Sequence, residues 1–160
     1  MLVSINRTSK LKEFTVDGGL IREIDVYQTA PSPLHSVQLS NGQFLVSSHT
    51  GAQRLYVIGE DGQLAQSYSG PIRSAVGQVP TLYHLIVDKQ GFIAVANFSN
   101  NNVLLFSPSL TNVRELISAD KGLLKCPVRM HFDEKRRLLF VVSHANGHLS
   151  MFGGTTGTSM

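Results

Sequence analysis

The chain has 160 residues, a net charge of +3 and 42% hydrophobic content against 16% charged. That composition excludes a disordered chain and allows a sizeable core. The charge is too weak to argue for nucleic acid by itself. One cysteine, Cys126, rules out an internal disulfide and fits a reducing compartment. No apolar run reaches signal-peptide or membrane-spanning length, so a soluble cytoplasmic chain without a membrane partner is expected.

In chain order, Met1 to Asn6 reads as a short strand, and Lys10 to Thr15 alternates basic and apolar residues as a half-buried strand does. Asp17-Gly18 is a hairpin turn, followed by Leu20 to Val26, with Leu20, Arg22, Ile24 and Val26 on one side. Tyr27 to Pro33 is a connector. Leu34 to Leu39, Phe44 to Ser47, Arg54 to Ile58 and Gln63 to Tyr68 form the next unit, with turns at Asn41-Gly42 and Asp61-Gly62 and a loop over Ser48 to Gln53. Gly70 to Pro80 is the longest connector.

The next unit has apolar runs at Leu85 to Val87, Phe92 to Ala96, Val103 to Phe106 and Val113 to Ile117. Turn chemistry at Asp88 to Gly91, an Asn-rich loop and Pro108 separate them, as in an antiparallel meander. Ser118 to Lys125 connects to Val128 to Phe132, a basic turn at Glu134 to Arg137, Leu138 to Val142 and His148 to Phe152. Gly153 to Met160 carries no pattern and is expected to be disordered.

The unit recurs. Gly42 and Gly91 are 49 apart, as are His35 and His84; Asp88 and Asp133 are 45 apart, Val95 and Val141 46 apart. Propeller blades recur at this spacing, and no capped amphipathic helix interrupts them. The fold class expected is all-β, with propeller blades of four antiparallel strands.

Ile86-Val87-Asp88 through Gly91, Ile93 to Asn97, Asn101-Asn102-Val103 and Phe106 resemble the NHL repeat. The likeness is fair over Leu34 to Tyr68 and partial at Leu2 to Val26 and Pro127 to Phe152. The wording around Leu11 to Ile24 and Val37 to Phe44 looks most like the C-terminal propellers of tripartite-motif (TRIM-NHL) proteins. The sequence departs from the pattern at the second-strand Asp, here Ser48, Asn97 and Ser143, and at the loop Arg, which is Arg54 in one unit and Asn102 in another. The resemblance implies an incomplete propeller over residues 1–152. Its blades are 34–68 and 82–117, with partial blades at 1–26 and 127–152.

The implied role is non-catalytic: a segment binding a protein partner, with RNA as the second class, in a ubiquitin-ligase-like parent whose catalytic region is absent here. Bare blade faces imply self-association. Candidate partner residues are Asn97, Asn101 and Asn102 in the polar loop, Arg54, and the basic turn Lys135, Arg136 and Arg137, near Lys121, Lys125 and Arg129. His144 and His148 flank Asn146-Gly147 and read as turn-flanking surface residues; a third metal ligand is not evident. His35 and His84 read as structural residues at equivalent strand starts, with a ligand-binding ring as the alternative. Asn97-Phe98-Ser99 and Asn6-Arg7-Thr8 match a glycosylation sequon that a cytosolic chain would not use. No cofactor is expected. Cys126 has no arranged base, and no nucleophile elbow or phosphate loop is present. A metal-dependent propeller hydrolase or lyase, or a non-functional fragment, is the alternative reading.

Overall fold

Alternating apolar residues make strands, and left-handed glycines after Asp17, Asn41 and Asp61 turn three of the hairpins. In the computed structural model, which describes residues 1–50, 55–68, 81–145 and 147–153, this yields fourteen strands in four antiparallel sheets. Of the tail expected over 153–160, Gly153 instead ends the last strand, and residues 154–160, like the connector 70–80, lie outside the described residues. The all-β expectation holds: beside the strands there are only three short 3-10 turns among the described residues.

The chain divides into two units, Met1–Ser69 and Gly70–Met160. In the first, β1 (Leu2–Ile5), β2 (Lys10–Phe14) and β3 (Leu20–Asp25) form a three-stranded sheet. A four-stranded sheet follows: β4 (Pro33–Gln38), β5 (Phe44–Ser48), β6 (Leu55–Ile58) and β7 (Leu64–Ser67). Leu11 and Ile24 of the first sheet meet Phe44, Val46, Tyr56 and Ile58 of the second, with Val26 and Ala30 of the connector closing the core. Each large side chain buried this way contributes roughly 1.5–3 kcal/mol. Arg22 borders this core, binding Glu13 at 2.7 Å and Glu60 at 2.9 Å with its guanidinium 5.5 Å from the Phe44 ring centre.

In the second unit, β8 (Leu82–Val87), β9 (Ile93–Asn97), β10 (Asn102–Phe106) and β11 (Val113–Ile117) form a four-stranded sheet. β12 (Pro127–Asp133), β13 (Leu138–Ser143) and β14 (Leu149–Gly153) form a three-stranded one. Ala94, Ala96, Val103, Leu105 and Ile117 of the former pack on Met130, Leu139 and Val141 of the latter. The small Ala94 and Ala96 let the second sheet approach closely.

Several boundaries differ from expectation for one local reason. β4, β8 and β12 begin earlier than their apolar runs suggest, because each opens with a register shift: at Pro33/His35, Leu82/His84 and Pro127/Arg129. The one-sided alternation expected over Leu20 to Val26 is broken the same way. A shift between Glu13 and Phe14 keeps Ile24 buried and leaves Leu20 exposed. The turn before β13 is one residue longer than its counterparts, and Arg137 takes the left-handed backbone (φ 55°) there that Gly42 and Gly91 take elsewhere.

Candidate partner-binding loops

β9 ends at Asn97, a 3-10 turn covers Phe98–Asn100, and Asn101 reverses into β10 with φ 55°. Asn and Asp tolerate that conformation better than most residues. Asn97 and Asn102 are buried rather than presented on the loop. Asn97 Oδ1 accepts from Asn100 at 3.2 Å, and Asn102 donates to Glu115 at 2.5 Å. Their short amides thus shape the turn from inside.

The neighbouring loops are tied to this turn through backbone groups. The Cys126 N–H donates to Asn101 Oδ1 at 2.8 Å, and the Cys126 carbonyl accepts the His144 N–H at 2.9 Å. The Thr81 N–H donates to Ser99 Oγ, and the Thr81 carbonyl accepts the Phe98 N–H, both at 2.9 Å. Ser143 Oγ, at the position of Asn97, accepts the Lys125 N–H at 3.3 Å. These bonds tie the loop backbones together, while inside the turn Asn97 Nδ2 and Asn102 Oδ1 are buried without a hydrogen-bond partner.

What the frame presents is aromatic. The half-buried Phe98 ring lies 5.3 Å from the Tyr83 ring and 6.2 Å from the exposed His144 imidazole, tilted against both. Lys125 and His148 are exposed on the same loops. The sequence reading missed Tyr83, Phe98 and His144 as a group because they come from three separate segments. The one available signal was an aromatic residue following Asn97 at a blade end.

The basic turn lies elsewhere. Lys135, Arg136 and Arg137 are exposed between β12 and β13, whereas the Ser143–His148 loop follows β13. Six residues of strand separate the two ends by roughly 20 Å. The turn is partly neutralised: Arg136 lies 3.8 Å from Asp133, and Glu134 pairs with Lys89. The structure therefore does not bring the Asn loop and the basic turn into one site. Arg54 lies outside the described residues. His35 and His84 occupy matching places, paired with Ser47 and Ala96 just after each register shift; the matching residue in β12 is Arg129, paired with Val142.

Of the eleven acidic residues, Glu13, Glu23, Glu60, Asp133 and Glu134 sit in ion pairs. Asp25, Asp61 and Asp88 accept backbone N–H groups, Glu115 accepts from Asn102, and Asp17 is held below the ordinary carboxyl range by a hydrogen bond from Thr15. Among the described residues no three His, Cys, Asp or Glu side chains converge as metal ligands, and no helix is long and apolar enough to cross a membrane.

No protein-family model matches the sequence, and no curated protein matches it. Solved structures do. The chain is similar to virginiamycin B lyase from Staphylococcus aureus, with 15% identity and a TM-score of 0.59 over 92% of this chain and 50% of that one. It is similar to a streptogramin B lyase, with 13% identity and a TM-score of 0.61 over 95% and 53%. A candidate 6-phosphogluconolactonase from Bacteroides uniformis gives 14% identity and a TM-score of 0.61 over 98% and 50%. The chain spans about half the length of these proteins. At such identity the likeness concerns architecture, and together with the four meander sheets it gives this chain the blade fold of β-propellers.

Proposed function

We propose that the chain is a non-catalytic interaction module whose partner is a protein, engaged through the loop end of the second unit. The observation that carries this reading is the Tyr83–Phe98–His144 run on its hydrogen-bonded frame beside Lys125. Aromatic rings on a rigid support, rimmed by polar and cationic groups, are the usual anchors of protein interfaces. The NHL-like wording of Ile86 to Phe106 supports a propeller of the NHL kind. On that reading the chain is the partner-recognition part of a ubiquitin-ligase-like tripartite-motif protein. A metal-dependent hydrolase or lyase is the lesser reading, because ten of the eleven carboxylates already hold ion pairs, turns or neighbouring side chains.

RNA is the second partner class, favoured by the same ring pair, since bases stack on aromatic side chains. The test compares the full chain with Phe98→Ala/His144→Ala as baits in one extract, after thermal unfolding shows both are folded. Proteins enriched by the wild type and lost from the variant support the module. Identical protein sets, with a labelled uridine 12-mer bound by the wild type alone, would move the conclusion to RNA. The absence of both differences would sink the loop-end reading.

A further inference from the structure

Large exposed apolar side chains are unevenly placed. On the β12–β14 sheet Val142, Leu149 and Met151 are 37%, 65% and 63% exposed; at the start of β3, Leu20 and Ile21 are 52% and 55% exposed. Among the described strands of the two four-stranded sheets, only Leu64 joins them.

The register explains the first patch. Met130, Leu139 and Val141 point into the core of their unit, so the alternate residues form the opposite face. That face pairs His131 with Phe140, Phe140 with Met151, and Val142 with both Arg129 and Leu149. Phe140 and Val142 match Ala94 and Ala96 by the 46-residue offset that relates Val95 to Val141. In the β8–β11 sheet, the Ala94–Ala96 face is covered by the next sheet. In the β1–β3 sheet, the matching Leu11–Ile24 face is covered in the same way. In both units the covering surface is the other face of a blade: Phe44, Val46, Tyr56 and Ile58 in one, Met130, Leu139 and Val141 in the other. The β1–β3 sheet owns a face of that second type, carrying Val3, Ile5 and Phe14, with Leu20 paired to Phe14.

We infer that the exposed Phe140–Met151 face docks a second copy of this chain, which offers the Val3–Phe14 face of its β1–β3 sheet. The fold already makes this face-to-face contact twice within one chain. Charge does not oppose it: Lys10 and Lys12 on the receiving face are offset by Glu23 and Asp25, so Arg129 meets no net like charge. The contact is head-to-tail, joining two different surfaces, and the proposed assembly is the smallest closed one, two chains with two reciprocal contacts.

The test is molar mass by light scattering after gel filtration of the 160-residue chain at about 1 to 100 µM, the range of modest interfaces. The expected mass is 35 kDa, twice the 17.5 kDa of one chain. Met151→Lys and Leu20→Lys should each give a 17.5 kDa species, and Leu64→Lys should leave the dimer intact. Mixing Met151→Lys with Leu20→Lys should restore a 35 kDa species, because one intact face of each type survives in the mixture. Val142→Lys repeats the test should Met151→Lys unfold. A wild-type monomer at 100 µM overturns the inference. So does a dimer that survives Leu20→Lys, which would place the partner face elsewhere.

Discussion

Asn101 and Cys126, 25 residues apart, are joined by one bond, the Cys126 N–H donating to Asn101 Oδ1 at 2.8 Å. The first unit repeats it with different residues: the Ser32 N–H donates to Ser9 Oγ at 3.0 Å. All four residues have positive φ, and Ser32 and Cys126 each precede a proline that opens a strand. The carbonyls of Ser32 and Cys126 then accept the His49 and His144 N–H groups at 3.0 and 2.9 Å. A recurring clip thus links the turn of one blade to the start of the next.

Replacing Asn101 separates its two roles. Asn101→Ala removes the acceptor and puts alanine in left-handed backbone, for an expected loss of about 2 kcal/mol. Asn101→Gly removes only the acceptor and should lose about half as much. Urea midpoints with an unchanged m-value measure both; equal losses would show that the bond, not the backbone, dominates.

Gly62 and Gly18 isolate a steric effect. Both have positive φ, but a Cβ on Gly62 would lie 2.4 Å from the Asp25 carbonyl oxygen, while one on Gly18 meets nothing within 4 Å. Gly18→Ala should cost about 1 kcal/mol from backbone alone. Gly62→Ala should cost about 3 kcal/mol, because β3 and the β6–β7 turn must separate. Thermal unfolding of the two variants side by side checks the difference.

Glu23 gives a pH signature. Hydrogen bonds from Lys10 and then Lys12 lower its carboxyl from 4.5 to about 2. A depressed folded value means its contribution is full above pH 4.5 and fades as pH falls toward 2. Glu23→Gln should therefore be less stable than the wild type at pH 6 and indistinguishable at pH 2. The gap should shrink in high salt, since the cluster is solvent-accessible. Midpoints that differ equally at both pH values would contradict this.

Asp88 accepts the Gln90 and Phe92 N–H groups at 2.9 and 2.8 Å. Asp88→Asn keeps an acceptor and should be nearly neutral. Asp88→Ala should lose about 1–2 kcal/mol and raise amide exchange at Gln90 and Phe92 in particular.

That turn is also where the sequence was most readable. Asn41, Asp61 and Asp88 each bond the N–H two residues on, a habit written into the side chain itself. Strand order followed from such turns. The clip was not readable, because Ser9, Ser32 and Cys126 carry no local preference for positive φ; only their partners, 23 and 25 residues away, hold them there. Asn97 and Asn102 misled for a related reason. A run of asparagines reads as an exposed loop, yet the 3-10 turn folds its two ends inward. The Tyr83–Phe98–His144 group depends on three segments meeting and has no linear signature.

The register shifts that open β4, β8 and β12 have a consequence for solubility. Each of these strands is an edge of its sheet, with one row of backbone groups free of a neighbour in that sheet. A long flat edge invites growth by strand addition, the route to fibrous deposits. A kink at the opening of the strand spoils the straight template that an incoming strand needs. By blunting the same edge in three sheets, the chain steers contacts between molecules away from edges and onto side-chain faces, where shape limits how far assembly can run.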